Sequence, residues 1–187
     1  MVEALSPARV RLREHVLAHS VESGRFTLKS GVESNWFLDT KQTACRPDGI
    51  LALADAALEV IPHEATAIGG LTMGADAAAF GIAAIAAERG RSLRSFSVRK
   101  EAKDHGITGR IAGALEPNDR VIITEDTVTR GTSLMDAVDV VRTFGADPIL
   151  ILVIVDRGGT CAAMAEAAGI AYRPLLTAAD LGFEPGT

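Results

Sequence analysis

Cysteine is scarce. Cys45 and Cys161 are the only two in 187 residues, they lie far apart, and neither sits in a Cys-x-x-Cys pair or near histidines at metal-ligand spacing. This excludes a disulfide framework and a zinc site, and both thiols are expected to be reduced packing residues. Long apolar runs are also lacking. The longest, Pro148 to Val155, is far too short to cross a bilayer, and the alanine-rich segments are broken by Asp, Glu and Arg, so no membrane association is expected. Nor is positive charge in excess: the net charge of −5 argues against nucleic acid as a partner, although a local basic patch can still hold a polyanion. The first residues, Met-Val-Glu-Ala-Leu-Ser-Pro, show no basic region followed by an apolar stretch, which reads as no secretory signal and a cytoplasmic location.

Hydrophobic residues at 48% and charged residues at 23% are ordinary for a globular chain. The length suits one domain spanning residues 1–187, with residues 1–45 contributing an N-terminal helix and a small flap, or hood. Ser6-Pro7 marks a helix start that should run to about Ser20. Phe26 to Leu28 and Ser34 to Asp39 read as two short strands around Ser30-Gly31. From Pro47 onward strands and helices alternate, which predicts an α/β fold with a parallel sheet covered on both faces. Val-Ile-Ile at 121–123 and Ile-Leu-Ile-Leu-Val-Ile-Val at 149–155, apolar at consecutive positions, suit central strands. The pattern breaks at Arg99 to Gly113, glycine-containing and poor in apolar residues where a helix was due; it reads as a mobile functional loop.

Chemistry concentrates in four places. Val121-Ile-Ile-Thr-Glu-Asp-Thr-Val-Thr-Arg-Gly-Thr-Ser133 is a buried strand ending in two carboxylates, followed by a hydroxyl-rich turn into a helix. Ligands of open α/β sheets sit beyond the carboxyl ends of strands. Backbone amides at the helix start, with the Thr129, Thr132 and Ser133 hydroxyls, would surround a phosphate. Glu125 and Asp126 suit sugar hydroxyls or a divalent cation shared with the substrate. The plainer reading is that Thr132 or Ser133 caps the helix with Asp136 completing a capping-box-like arrangement, and the pattern alone leaves both open.

Phe96-Ser-Val-Arg-Lys-Glu-Ala-Lys-Asp-His-Gly106 gathers Arg99, Lys100, Lys103 and His105 in an otherwise acidic chain, a clustering that suits a pyrophosphate unless Glu101 and Asp104 neutralise it. Gly69-Gly-Leu-Thr-Met-Gly74 has Walker-like glycine spacing, but Ala75-Asp76 follows where the Lys and Ser/Thr of a nucleotide site belong, so only backbone amides and Thr72 are left for an anion. Arg157 ends the longest apolar strand; a guanidinium there can hold a carboxylate or carbonyl bidentately.

The acidic motif resembles the phosphoribosyl-pyrophosphate motif of type I phosphoribosyltransferases, and Arg-Lys-x-x-Lys-x-His-Gly resembles the catalytic loop of the orotate phosphoribosyltransferase family. Phe26-Thr-Leu-Lys-Ser-Gly31 with Asn35-Trp-Phe-Leu-Asp39 is similar to that family's N-terminal segment. The resemblance, spanning about Phe26 to Arg157, implies a type I phosphoribosyltransferase-like parallel sheet flanked by helices, with an N-terminal hood. It implies Mg2+-dependent transfer of ribose 5-phosphate from phosphoribosyl pyrophosphate to orotate, within de novo pyrimidine synthesis. Lys100, Lys103, His105 and Asp126 would be catalytic. Phosphoribosyl pyrophosphate would be held by Lys29, Arg99, Lys100, Lys103, His105, Glu125, Asp126, Thr127, Val128, Thr129, Arg130, Gly131, Thr132 and Ser133. Orotate would meet Lys29, Phe37, Leu38, Thr129 and Arg157. Mg2+ would come mainly with the substrate, with Glu125 or Asp126 as protein ligands. The family resemblance also implies a homodimer whose loop 99–110 reaches the neighbouring subunit's site.

Three positions depart from the family pattern: Thr72-Met73 where many members carry a lysine, Arg130 where a small residue or Thr is usual, and Glu-Asp for the common Asp-Asp. The competing readings are a phosphoribosyltransferase for another base and a non-catalytic regulator that binds phosphoribosyl pyrophosphate. Lys29, the basic loop and Arg157 favour an anionic pyrimidine over a purine. A DNA-binding regulator would need more than the single helix before Phe26.

Overall fold

The computed structural model describes residues 4–27, 33–103 and 109–185. Helix α1 (Pro7–His19) starts as its sequence requires: the Ser6 hydroxyl accepts from the Arg9 amide at 3.3 Å and Pro7 occupies the first turn. Ala8, Leu12 and Val16, four residues apart, form its buried stripe. Strands β1 (Val21–Thr27) and β2 (Glu33–Leu38) pair antiparallel as a separate two-stranded sheet, the expected hood. The short α2 (Lys41–Ala44) and then α3 (Pro47–Leu58) follow.

The main sheet has the order β5-β4-β3-β6-β7-β8, built from β3 (Ala67–Leu71), β4 (Arg94–Lys103), β5 (Gly109–Gly113), β6 (Arg120–Val128), β7 (Asp147–Asp156) and β8 (Ala171–Thr177). Every pairing is parallel except β4 with β5. Helices α4 (Asp76–Glu88), α5 (Thr132–Phe144) and α6 (Cys161–Ala167) make the crossovers. Alternation along β6 and β7 sends side chains to two cores. Ile122, Leu150, Leu152 and Ile154 pack with residues of α1, α3 and α4, while Val121, Ile123, Ile151 and Val153 pack with residues of α5 and α6. Alanines bring α3 and α4 together closely enough that a β-carbon at Gly81 would lie 2.3 Å from Ile50 Cδ1.

One expectation is overturned. Arg99 to Gly113 is not wholly a loop: β4 continues to Lys103 and β5 returns antiparallel beside it, pairing Phe96 with Gly113, Val98 with Ile111 and Lys103 with Gly109. As an edge strand, β5 is half-buried along most of its length and needs no continuous apolar run, so composition hid it. Gly113, at φ 112°, passes so close to Phe96 that a β-carbon would lie 2.8 Å from its Cα.

Candidate active site

The carboxyl end of β6 is buried between β3 and β7, and with it Thr124, Glu125 and Asp126. Burial, reinforced by the adjacent Asp126 charge, pushes the Glu125 pKa up to about 8. Asp126 is held at both oxygens: Oδ1 accepts from the Thr127 amide at 2.8 Å, and Oδ2 takes the Lys41 ammonium. Burial works against the Lys41 charge, but the hydrogen bond and charge of Asp126 outweigh it and hold that pKa above the ordinary lysine value.

The turn after β6 is shaped by glycine. Gly131, at φ 81°, is the N-cap residue of α5, and a β-carbon there would crowd Met164 Sδ and Cys161 Sγ at 3.1 and 3.2 Å. The capping-box reading of Thr132, Ser133 and Asp136 is therefore wrong: no side chain caps α5, and Asp136 instead receives Nη1 of Arg110 at 2.8 Å. The first amides of a helix have no intrahelical partner, and no acidic residue occupies this first turn, so the helix start suits an anion. The loop after β7 braces the turn: Arg157 N donates to Val128 O at 2.8 Å and the Thr160 hydroxyl to Thr129 O at 3.0 Å. A β-carbon at Gly158 would fall 1.9 Å from Thr129 O, so only glycine permits this approach.

Over these groups opens a cavity of about 950 Å3, lined by Glu125 through Leu134, by Leu71 to Gly74, and by Lys41, Lys100 and Arg157. That volume is in the range of small-molecule sites. Gly74 leaves room for the acidic pair, since a β-carbon there would overlap Glu125 Oε1 at 1.8 Å. The Thr72 hydroxyl donates to Asp76 at 2.7 Å, the same carboxylate takes Ser97 at 2.6 Å, and the Thr72 amide donates to Val98 O at 2.9 Å, so Thr72 is committed within the fold. Arg130 is exposed and lines the cavity.

The structure thus brings together Lys100, Glu125, Asp126, Thr127, Val128, Thr129, Arg130, Gly131, Thr132, Ser133 and Arg157. Arg99 is not among the lining residues; its Nη1 donates to Gly109 O at 3.3 Å within the hairpin. Phe37 and Leu38 do not form one wall, because strand alternation turns Leu38 into the core and leaves Phe37 41% exposed beside Phe26. Trp36, fully buried, lies behind Arg157, stacked on Phe183 at 4.2 Å with the Arg157 guanidinium 4.0 Å from its ring centre. Lys29 and His105 lie outside the described residues, as does the side chain of Lys103. Sequence reasoning missed Lys41 and Trp36. Trp36 had one signal, as the sole tryptophan beside the pair singled out; Lys41 had none, because its partner lies 85 residues away.

The class that this sheet and site define is that of the type I phosphoribosyltransferases. No family model matches the chain. The orotate phosphoribosyltransferase of Mycobacterium tuberculosis is 37% identical over 184 residues, covering 95% of this chain and 98% of that protein. That of Rhodopirellula baltica is 34% identical over 174 residues, covering 89% of this chain and 90% of that protein. The crystal structure of the M. tuberculosis enzyme in complex with 5-phospho-α-D-ribosyl 1-diphosphate matches with a TM-score of 0.79 at 32% identity, over 95% of this chain and 100% of that one. The chain belongs to the orotate phosphoribosyltransferase family.

Proposed function

We propose that the chain transfers ribose 5-phosphate from phosphoribosyl pyrophosphate to orotate, giving orotidine 5′-phosphate and pyrophosphate, with Mg2+ carried in by the substrate. The observation that carries this reading is the joining, in one cavity, of a desolvated acidic pair, an uncapped helix start and the stacked Arg157. The α5 amides with Thr129, Thr132 and Ser133 take the 5′-phosphate, where the helix dipole favours negative charge. Asp126 and Glu125 accept from the ribose hydroxyls and hold them against the floor of the sheet.

The bond from C1′ to the pyrophosphate oxygen breaks with its electron pair leaving on pyrophosphate; the orotate nitrogen then bonds to C1′ and its N–H bond breaks, the proton passing to the departing pyrophosphate. Positive charge builds on the ribose and negative charge on the leaving group. The Asp126 carboxylate stabilises the former; Lys100, with Lys103, Arg99 and His105 of the 99–110 segment, serves the latter. Glu125 and Asp126, adjacent and both lining the cavity, are the residues that would hold a divalent ion together with the substrate's own oxygens. When bound, Mg2+ supplies charge to the departing pyrophosphate. At the other end Arg157, with Trp36 behind it and Lys29 from the hood, takes the orotate carboxylate. A homodimer that shares the 99–110 segment between subunits, and a cytoplasmic location, belong to the same proposal. Among the described residues no helix is long and apolar enough to cross a membrane.

The test is loss of orotate absorbance in the presence of phosphoribosyl pyrophosphate and Mg2+, with hypoxanthine and uracil as alternative acceptors. Turnover of orotate alone is expected, and preference for either other base would overturn the reading. Arg157→Ala should raise the KM for orotate roughly tenfold or more while changing that for phosphoribosyl pyrophosphate little, on the scale of one lost charge-assisted hydrogen bond. Equal changes in both would assign Arg157 a purely structural part.

A further inference from the structure

The acidic pair is met by a cation from outside the main sheet. Lys41 opens α2, and its Nζ bonds Asp126 Oδ2 across 85 residues of sequence. Its backbone is well fixed. Thr40 bonds the Thr127 hydroxyl at 3.1 Å, and Thr43, fully buried, bonds Ser20 at 2.7 Å and His15 Nδ1 at 3.1 Å. The ammonium is thus delivered from a braced segment to the residue assigned to the ribose. The 71–74 loop facing the pair is Leu-Thr-Met-Gly and brings no charge of its own. Of the other cations lining the cavity, Arg157 is stacked on Trp36, and Lys100 and Arg130 are exposed.

A carboxylate has about four lone-pair positions. The Thr127 amide and Lys41 take one each, one on either oxygen of Asp126, and the Glu125 side chain a third, which leaves about one for a hydroxyl entering the cavity. Lys41 therefore need not leave when a sugar binds. It fixes the carboxylate's rotation and balances a charge that would otherwise stand, desolvated, beside Glu125.

We propose that Lys41 is a positioning residue for Asp126, holding that carboxylate turned toward the ribose hydroxyls of phosphoribosyl pyrophosphate. The inference rests on the assignment of Asp126 to the ribose. Its test is steady-state kinetics of the full-length enzyme with both substrates for Lys41→Met, Lys41→Arg, Asp126→Asn and the double variant Lys41→Met/Asp126→Asn.

Lys41→Met should raise the KM for phosphoribosyl pyrophosphate roughly tenfold and leave the KM for orotate within about twofold. Lys41→Arg, which keeps a charged donor, should recover most of that loss. In the Asp126→Asn background, loss of Lys41 should add less than about twofold, since its effect runs through the carboxylate. An unchanged KM for phosphoribosyl pyrophosphate in Lys41→Met overturns the proposal. So do equal rises for both substrates, or an arginine variant no better than methionine. Wild-type turnover by Asp126→Asn would remove the ribose assignment and this inference together, whereas a disabled Asp126→Asn beside an unaffected Lys41→Met removes only the role of Lys41.

Discussion

The two segments that carry the charged motifs are built in opposite ways. Strand β6 lies inside the sheet with a core on either face, so Glu125 and Asp126 are taken out of water; Thr127 and Lys41 set the direction of Asp126, and Glu125 Oε1 accepts from the Asp126 amide. Hairpin β4–β5 forms the edge of the same sheet, and its Lys100 and Glu101 are exposed. The difference follows from what each must meet. Carboxylates that receive hydroxyls gain from a rigid, dry setting, where a hydrogen bond is strong and nothing has to reorganise. Cations that serve a polyanion, as proposed for the hairpin, gain from staying hydrated at the edge until the ligand replaces that water. The two regions are not independent. Arg110 of β5 holds Asp136 of α5 through both carboxylate oxygens and donates Nε to Arg99 O at 2.7 Å, so the base of the hairpin is tied to the helix proposed to receive the phosphate.

The largest effect should come from the rigid side. Asp126→Asn keeps shape and removes charge, and kcat/KM is expected to fall by roughly a hundredfold or more, with the melting temperature within a few degrees of wild type. Wild-type turnover from the folded variant would deny that β6 is the chemical side of the pair.

The edge side is tested by mixing subunits. If Lys103 acts in its neighbour's site, Lys103→Ala and Asp126→Asn chains, each nearly inactive alone, should recover up to roughly a quarter of wild-type activity after exchange, because half the dimers are mixed and each has one intact site. Confirmed heterodimers without recovery would place Lys103 in its own chain's site and end the contrast between a fixed and a donated region.

A smaller effect is expected where the two regions join. The Arg110–Asp136 pair is partly exposed, with 24% and 46% of the two side chains accessible, so its coupling should be in the range of about 0.2–1 kcal/mol. Arg110→Ala and Asp136→Ala should each lower kcat a few-fold, and together no further. Additive losses would mean that the ion pair does not connect hairpin to helix.

How much of this was legible in the sequence depends on the range of the interaction. Consecutive apolar residues at 121–123 and 149–155 announced strands buried on both faces, and Ser6-Pro7 announced a helix start; each is a local pattern with a local cause. Thr-Glu-Asp at a strand end was legible for the same reason. Strand β5 was not, because an edge strand facing water carries no periodic apolar signature. The cap of α5 was misread: Thr132 and Ser133 look like caps, but Gly131 takes the position and Arg110 claims Asp136 from 26 residues away. Lys41 on Asp126 and Trp36 under Arg157 are contacts between distant segments, and no window along the chain contains both partners.

The smallest effect sharpens the comparison on the rigid side alone. Desolvation first, and the Asp126 charge second, raise the Glu125 pKa from an ordinary 4.5 to about 8 in the folded protein. Between those values the folded state retains a proton that the unfolded chain has released, so rising pH favours unfolding across that window, and the full penalty stands above about pH 8. Glu125→Gln has no proton to lose. Its melting temperature without ligand should match wild type near pH 4.5 and exceed it by several degrees above about pH 8, the gap opening steadily between. Asp126→Asn, which takes away the neighbouring charge but leaves the burial, should move the same window to lower pH without closing it. Parallel melting curves for wild type and Glu125→Gln across the whole range would mean that Glu125 is hydrated in the empty site, and the acidic pair would then be no drier than the basic hairpin at the sheet's edge.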